Sequence, residues 1–161
     1  MNRSILRKKG CPGLTAKRPY LGFDLLVRAY DIIEARFSDI LIMSGLTDVG
    51  IPAQAYRLAT ERGYETGGIA CERAREYECY PTTEEPIIIG KYWGAVIPVF
   101  VQGVSAIAEV DPDKFQQYFG HPHYGLDAMI RIGGGPQSAR ETQRTKELGR
   151  PAYEFGLPRI R

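Results

Sequence analysis

Between Phe23 and Phe37 the apolar residues Leu25, Leu26, Ala29, Ile32, Ile33 and Phe37 recur at helical spacing with charges between them, which predicts an amphipathic helix. At Asp39 the pattern changes. Ile40, Leu41, Ile42 and Met43 follow one another without alternation, as in a parallel strand covered on both faces. A second helical stretch begins at Ile51, keeps Ala55, Leu58 and Ala59 on the same side, and ends on Gly63 at the C-terminal cap position. Tyr64 to Ala70 then reads as a strand, and a polar, irregular stretch leads through Glu85 to a further apolar run from Pro86 to Gly90.

From Lys91 to Leu126 the periodicity is weak. Val96 to Val101 fits either a strand or the start of a buried helix, and Pro112 to Phe119 reads as a short helix capped by Asp111. Beyond it the pattern sharpens into a strand from Asp127 to Ile132, a glycine loop, a helix from Ser138 to Leu148 closed by Gly149, and a last strand over Ala152 to Phe155. Alternation of this kind predicts an α/β fold: a Rossmann-like, doubly wound, mainly parallel sheet with helices on both faces. The chain of 161 residues suits one domain with one core, and residues 1–161 are read as a single ligand-binding unit.

Charge narrows the function. Twenty-one basic against nineteen acidic residues leave a formal net charge of +2, far from the balance that many phosphate contacts to nucleic acid demand, so nucleic acid is not the expected partner. The basic clusters at Arg3 to Lys9 and Arg159 to Arg161 read as solvated termini. No apolar run reaches the roughly 18 to 20 residues of a membrane span, and the start lacks the apolar core of a secretory signal, so a cytoplasmic location without membrane contact is expected. Cys11, Cys71 and Cys79 form no C-x-x-C pair, which leaves reduced thiols as the simplest reading and no metal or cofactor to expect.

In an open parallel sheet, ligands sit beyond the carboxyl ends of the strands, and anions favour helix N-termini. Two segments have that placement. One is Ser44 to Gly50, where Gly45 and Gly50 permit tight turns, the Ser44 and Thr47 hydroxyls can donate to a phosphate, and Asp48 can meet a ribose hydroxyl or cap the next helix. The other is Gly133-Gly134-Gly135-Pro136-Gln137-Ser138. Three successive glycines strip every Cβ from that approach, at roughly 0.5 to 1 kcal/mol each against alanine in regular structure.

The stretch from Asp127 to Glu141 resembles the strand and phosphate loop of the LOG and DprA-like (SLOG) superfamily, written DAFIALPGGxGTxxE in its phosphoribohydrolase branch. Gly134, Gly135 and Glu141 stand on that pattern, Ser138 replaces its threonine, Gly133 its proline and Gln137 its third glycine. Gly13 to Tyr20 is similar to the first-strand loop TGxRP, with Thr15, Lys17 and Arg18 as phosphate candidates, and Ser44 to Ala55 is similar to SGGAxGxDxxA. The resemblance implies a nucleotide-binding Rossmann-like domain that forms a homo-oligomer. It also implies a hydrolytic role for Glu141 on the N-glycosidic bond of a nucleoside monophosphate.

A carboxylate near an anomeric carbon can stabilise oxocarbenium-like charge or orient water, yet Glu141 in a first helical turn is equally favoured by the helix dipole. The arginine-lysine pair of the hydrolases has no arginine counterpart in Asp113 to Phe119, where Lys114 offers only a point charge. Binding of a nucleotide or nucleotide-derived phosphorylated ligand is therefore the first expectation, with phosphoribohydrolysis second and a DprA-like DNA-binding role third. Trp93, beside Tyr92, is the base-stacking candidate, against the ordinary role of an aromatic that completes a core. His121-Pro122-His123 reads as a loop rather than a metal site.

Overall fold

Every residue of the strand Ile40–Ser44 (β2) is buried, because the strand is sandwiched. Ile40 and Ile42 pack on one face with the helices Lys17–Arg36 (α1) and Gly50–Glu61 (α2), while Leu41 and Met43 pack on the other beneath the helix Ile97–Gln102 (α3). The computed structural model describes residues 2–5 and 17–156. In it, β2 pairs in parallel with the strands Asn2–Ile5 (β1) and Glu65–Ala70 (β3), and β3 with the short strand Ile87–Ile88 (β4), so the order is β1-β2-β3-β4. The strands Met129–Ile132 (β5) and Ala152–Phe155 (β6) pair in parallel, joined by the helix Pro136–Glu147 (α6), and β5 lies beside β1.

The four-stranded sheet and the two-stranded sheet β5-β6 lie side by side, so the strands run β4-β3-β2-β1 and then β5-β6, and the chain's progress across them reverses between β1 and β5. That is the topological switch point of a doubly wound sheet, where crevices open beyond the carboxyl ends of the strands. The glycine loop, leaving β5, stands at it. The expected α/β, Rossmann-like architecture is thus the one found.

Two local expectations change. Of the N-terminal basic cluster, read as a solvated terminus, Arg3 to Ile5 belong to the strand β1 paired with β2, and Leu6 to Lys9 lie outside the described residues; a four-residue strand beginning Asn-Arg-Ser has no apolar run to announce it. Arg159 to Arg161 lie outside the described residues. Between Lys91 and Leu126 the chain folds into short helical pieces, α3 and then Ile107–Val110 (α4) and Phe115–Tyr118 (α5), joined by 3-10 turns. Asp111 does not cap by its side chain as expected; its Oδ2 instead accepts the Gly90 N–H at 3.4 Å. Among the described residues no helix is long and apolar enough to cross a membrane.

Candidate functional site

β5 delivers the glycine loop to the switch point with its backbone in the left-handed half of conformational space, φ +61° at Gly133 and +100° at Gly134. Side chains resist that geometry, and a Cβ on Gly134 would stand 2.2 Å from Ser138 Oγ. Arg131 Nε donates to the Gly133 carbonyl at 3.0 Å, and the Gly133 N–H donates to the Phe155 carbonyl at 2.8 Å, so the loop is pinned on both sides of its first peptide. Because a trans peptide points its carbonyl and the next N–H in opposite directions, that pin turns the Gly134 N–H away from Arg131.

Gly135 is the N-cap of α6 and no side chain caps the helix; Pro136, in the first turn, has no N–H to satisfy. The first turn of any helix lacks intrahelical acceptors, so the amides that follow Pro136 are available for an anion, assisted by the helix dipole. Gly135 and Pro136 are exposed. Ser138 is buried and its hydroxyl donates to the Gly135 carbonyl at 3.1 Å, which holds the cap residue in place.

Gln137 lies in the first turn of α6, and its Nε2 donates to the main-chain carbonyl of Trp93 at 3.1 Å. Trp93 opens the 3-10 turn after β4, and its side chain is partly buried between the core beneath α3 and a smaller cluster of Leu46, Ala70 and Ala74. Two candidates far apart in sequence, the glycine loop and Trp93, are therefore brought together. The indole packs against the core, which is the ordinary role weighed for it from sequence.

The second candidate loop is different. Ser44, Gly45, Leu46 and Thr47 are buried, and only Asp48, Val49 and Gly50 reach the surface. A strap from Tyr77 to Tyr80 lies over them. Tyr80 N–H donates to the Leu46 carbonyl at 2.8 Å, Asp48 N–H to the Glu78 carbonyl at 2.9 Å, and Thr47 bridges Cys79 in antiparallel fashion. Beneath the strap, Tyr56 stacks on Tyr80 at 4.9 Å, donates its hydroxyl to the Gly67 carbonyl and accepts the Leu46 N–H. Gly68 makes this packing possible, since a Cβ there would fall 2.1 Å from Leu46 Cδ2.

Neither of the two roles expected for Asp48 includes the partner it has. Val49 is the N-cap of α2, without a side-chain cap, and the Asp48 carboxylate pairs with Arg57 at 3.3 Å. Gly50, φ +61°, opens α2. Thr15 lies outside the described residues, and Lys17 and Arg18 are the first two residues of α1. Glu141 is fully buried on the inward face of α6 with Ser138, Thr142 and Thr145. Lys114 is engaged by Glu72 and by the Ile88 carbonyl, so its ammonium serves the link between α5 and β4.

The two histidines after α5 are both hydrogen-bonded to main-chain groups. His121 Nδ1 accepts the His123 N–H, which leaves the proton on Nε2 to donate to the Glu85 carbonyl at 2.7 Å. His123 Nε2 meets the carbonyls of Val99 and Phe100. Burial pushes the Cys79 thiol up from its ordinary value, against the nucleophilic thiolate form. Among the described residues no group of three or more His, Cys, Asp or Glu could hold a metal. A cleft of about 440 Å³ opens at the other end of the sheet, among Glu34, Asp39, Tyr64, Glu65 and Glu84.

Sequence reasoning missed the strap and the Gln137 link. The repeated tyrosines of Tyr77-Glu78-Cys79-Tyr80 were the one visible signal of the strap.

No protein-family model matches the chain, and no curated protein matches it. Solved structures do: two of the molybdenum cofactor (Moco) carrier protein from Chlamydomonas reinhardtii superpose with TM-scores of 0.57 and 0.58. Each is 13% identical and covers 98% of this chain and 78% of the carrier. At that identity the likeness is one of fold.

Proposed function

We propose that this protein binds a nucleotide or nucleotide-derived phosphorylated ligand beyond the carboxyl ends of its strands, with the phosphate on the loop Gly133 to Ser138. The observation that carries the reading is the conformation of that loop: two glycines at positive φ lead into an uncapped, exposed helix N-terminus at the switch point of the sheet. The shared fold of a carrier of the molybdenum cofactor supports holding a small-molecule ligand of this kind. Membership of the LOG and DprA-like superfamily is supported by Gly134, Gly135 and Glu141 on its loop pattern, and a homo-oligomer is part of that proposal.

Of the earlier candidates, Gly133, Gly134, Gly135, Gln137 and Ser138 form the proposed phosphate site. Ser44, Gly45 and Thr47 are buried, Thr47 against the strap, and the surface of that loop is formed by Asp48, Val49 and Gly50. Denaturing the purified protein and identifying released small molecules by mass spectrometry, together with calorimetry against nucleoside mono-, di- and triphosphates and inorganic phosphate, tests the proposal. Binding of at least one phosphorylated probe, lost in a variant that disrupts the loop, is expected. No released ligand and no heat with any probe removes it.

A further inference from the structure

The glycine loop does not stand alone at the mouth of the crevice. Through Gln137 it is tied to the turn from Gly90 to Gly94, which leaves β4 on the far side of β1, β2 and β3. That turn carries an exposed cation, Lys91, an exposed aromatic ring, Tyr92, at 66% of its full accessibility, and the partly buried Trp93. Gly90 opens the turn at φ +73°, and its amide and carbonyl are held by Asp111 Oδ2 and the Glu72 N–H. The turn is thus anchored at its start by one contact pair and at its end by Gln137.

We propose that this turn is the second half of the ligand site, the surface against which a planar aromatic ring joined to the phosphate rests, with Gln137 as its positioning residue. The inference rests on the phosphate reading of the glycine loop and adds the class of the remainder: a phosphorylated heterocycle, not a bare sugar phosphate. The chemistry follows from the side chains. Tyr92 offers an exposed ring face for stacking, Trp93 fixes the height of the turn by packing between two apolar clusters, and the neighbouring Lys91 adds an exposed positive charge to the turn. Gln137 matters because it stands where a glycine would leave the loop and the turn unconnected; its carboxamide donates to a main-chain carbonyl, an interaction that a shorter residue cannot make.

The test compares AMP with ribose 5-phosphate and inorganic phosphate, measured by calorimetry and by the emission of Trp93, the one tryptophan of the chain. The wild-type protein is expected to bind AMP roughly tenfold tighter than ribose 5-phosphate, as loss of one stacked base would predict. Its emission should change with AMP and stay constant with phosphate. Tyr92→Ala should remove most of that preference while leaving ribose 5-phosphate affinity within about twofold, and Gln137→Ala should lower AMP affinity more than ribose 5-phosphate affinity.

Equal affinity of the wild type for AMP and ribose 5-phosphate overturns the inference and leaves the phosphate reading standing. Loss of both affinities alike in Gln137→Ala also overturns it, because Gln137 would then act on the loop. Failure of all three probes to bind the wild type removes the phosphate reading and this inference together.

Discussion

Gly134 combines two constraints that an alanine would test separately. The side-chain one is mild, because the Ser138 hydroxyl at 2.2 Å from the added Cβ can rotate aside, though it would give up its bond to the Gly135 carbonyl. The backbone one is not, since φ of +100° strains any residue with a Cβ. Gly134→Ala is expected to lower stability by roughly 1 to 2 kcal/mol, seen as a lower urea midpoint at an unchanged slope, and to weaken inorganic phosphate binding as the loop relaxes. A variant as stable as the parent with unaltered phosphate binding would show that the glycine is a connector only. These three glycines were legible in the sequence because conformational need is written in residue type. Gln137 was not: its hydrogen bond spans 44 positions, and nothing in local spacing marks a glutamine as the partner of a distant carbonyl.

Helices and strands were legible in proportion to their length. α1, α2 and α6 run for 12 or more residues, β2 is a fully buried apolar run between α1 and α2, and β3 is buried after Glu65, so period and burial agree. The segment after Trp93 was illegible because α3 to α5 are four to six residues each, too short for a helical period to complete twice. Such short pieces depend on side-chain ties, of which Glu72 with Lys114 and Arg75 is the clearest. Hydrogen bonds from Lys114 and then Arg75 hold the Glu72 carboxyl down to about 2, from an ordinary 4.5.

A carboxylate depressed in the folded state favours folding above its unfolded value, and the contribution fades as pH falls from 4.5 towards 2. Glu72 is 40% exposed, so water screens the pair and the effect is small. Lys114→Ala should therefore flatten the acid limb of the stability curve across that window and cost less than about 1 kcal/mol at neutral pH, as measured by urea unfolding at a series of pH values. The strap gives a larger effect. Tyr80→Ala deletes the ring stacked on Tyr56 and the hydroxyl contact with Thr60, and should cost about 1 to 2.5 kcal/mol. It should also speed amide exchange at Leu46 to Asp48, and unchanged exchange there would mean the strap's backbone bonds hold without the ring.

The two ends of the sheet differ in electrostatic character, and the difference decides where an anion goes. At the amino ends of β2 and β3 the cleft is lined by Glu34, Asp39, Glu65 and Glu84, with burial and then the Glu34 carboxylate pushing Tyr64 up to about 12. Concavity alone would nominate that cleft, but with Glu34 paired to Arg62 the carboxylates of Asp39, Glu65 and Glu84 still repel a phosphate over a Debye length of roughly 8 Å. At the carboxyl ends the anion meets backbone N–H groups and the positive end of the α6 dipole instead. The topology was legible from the alternation of strands and helices, and with it the end of the sheet to examine; the acidic cleft was not, because its carboxylates are spread between Glu34 and Glu84 along the chain. Hydrogen exchange with and without AMP separates the two ends. Slower exchange is expected from Gly133 to Ala139 and from Gly90 to Gly94, with no change around Glu34 to Leu41 or Gly63 to Glu65. Glu65→Gln combined with Glu84→Gln should leave AMP affinity within about twofold, because like charges at that range are screened. Protection confined to the acidic cleft, or a marked gain in affinity on neutralising it, would relocate the ligand to the other end of the sheet.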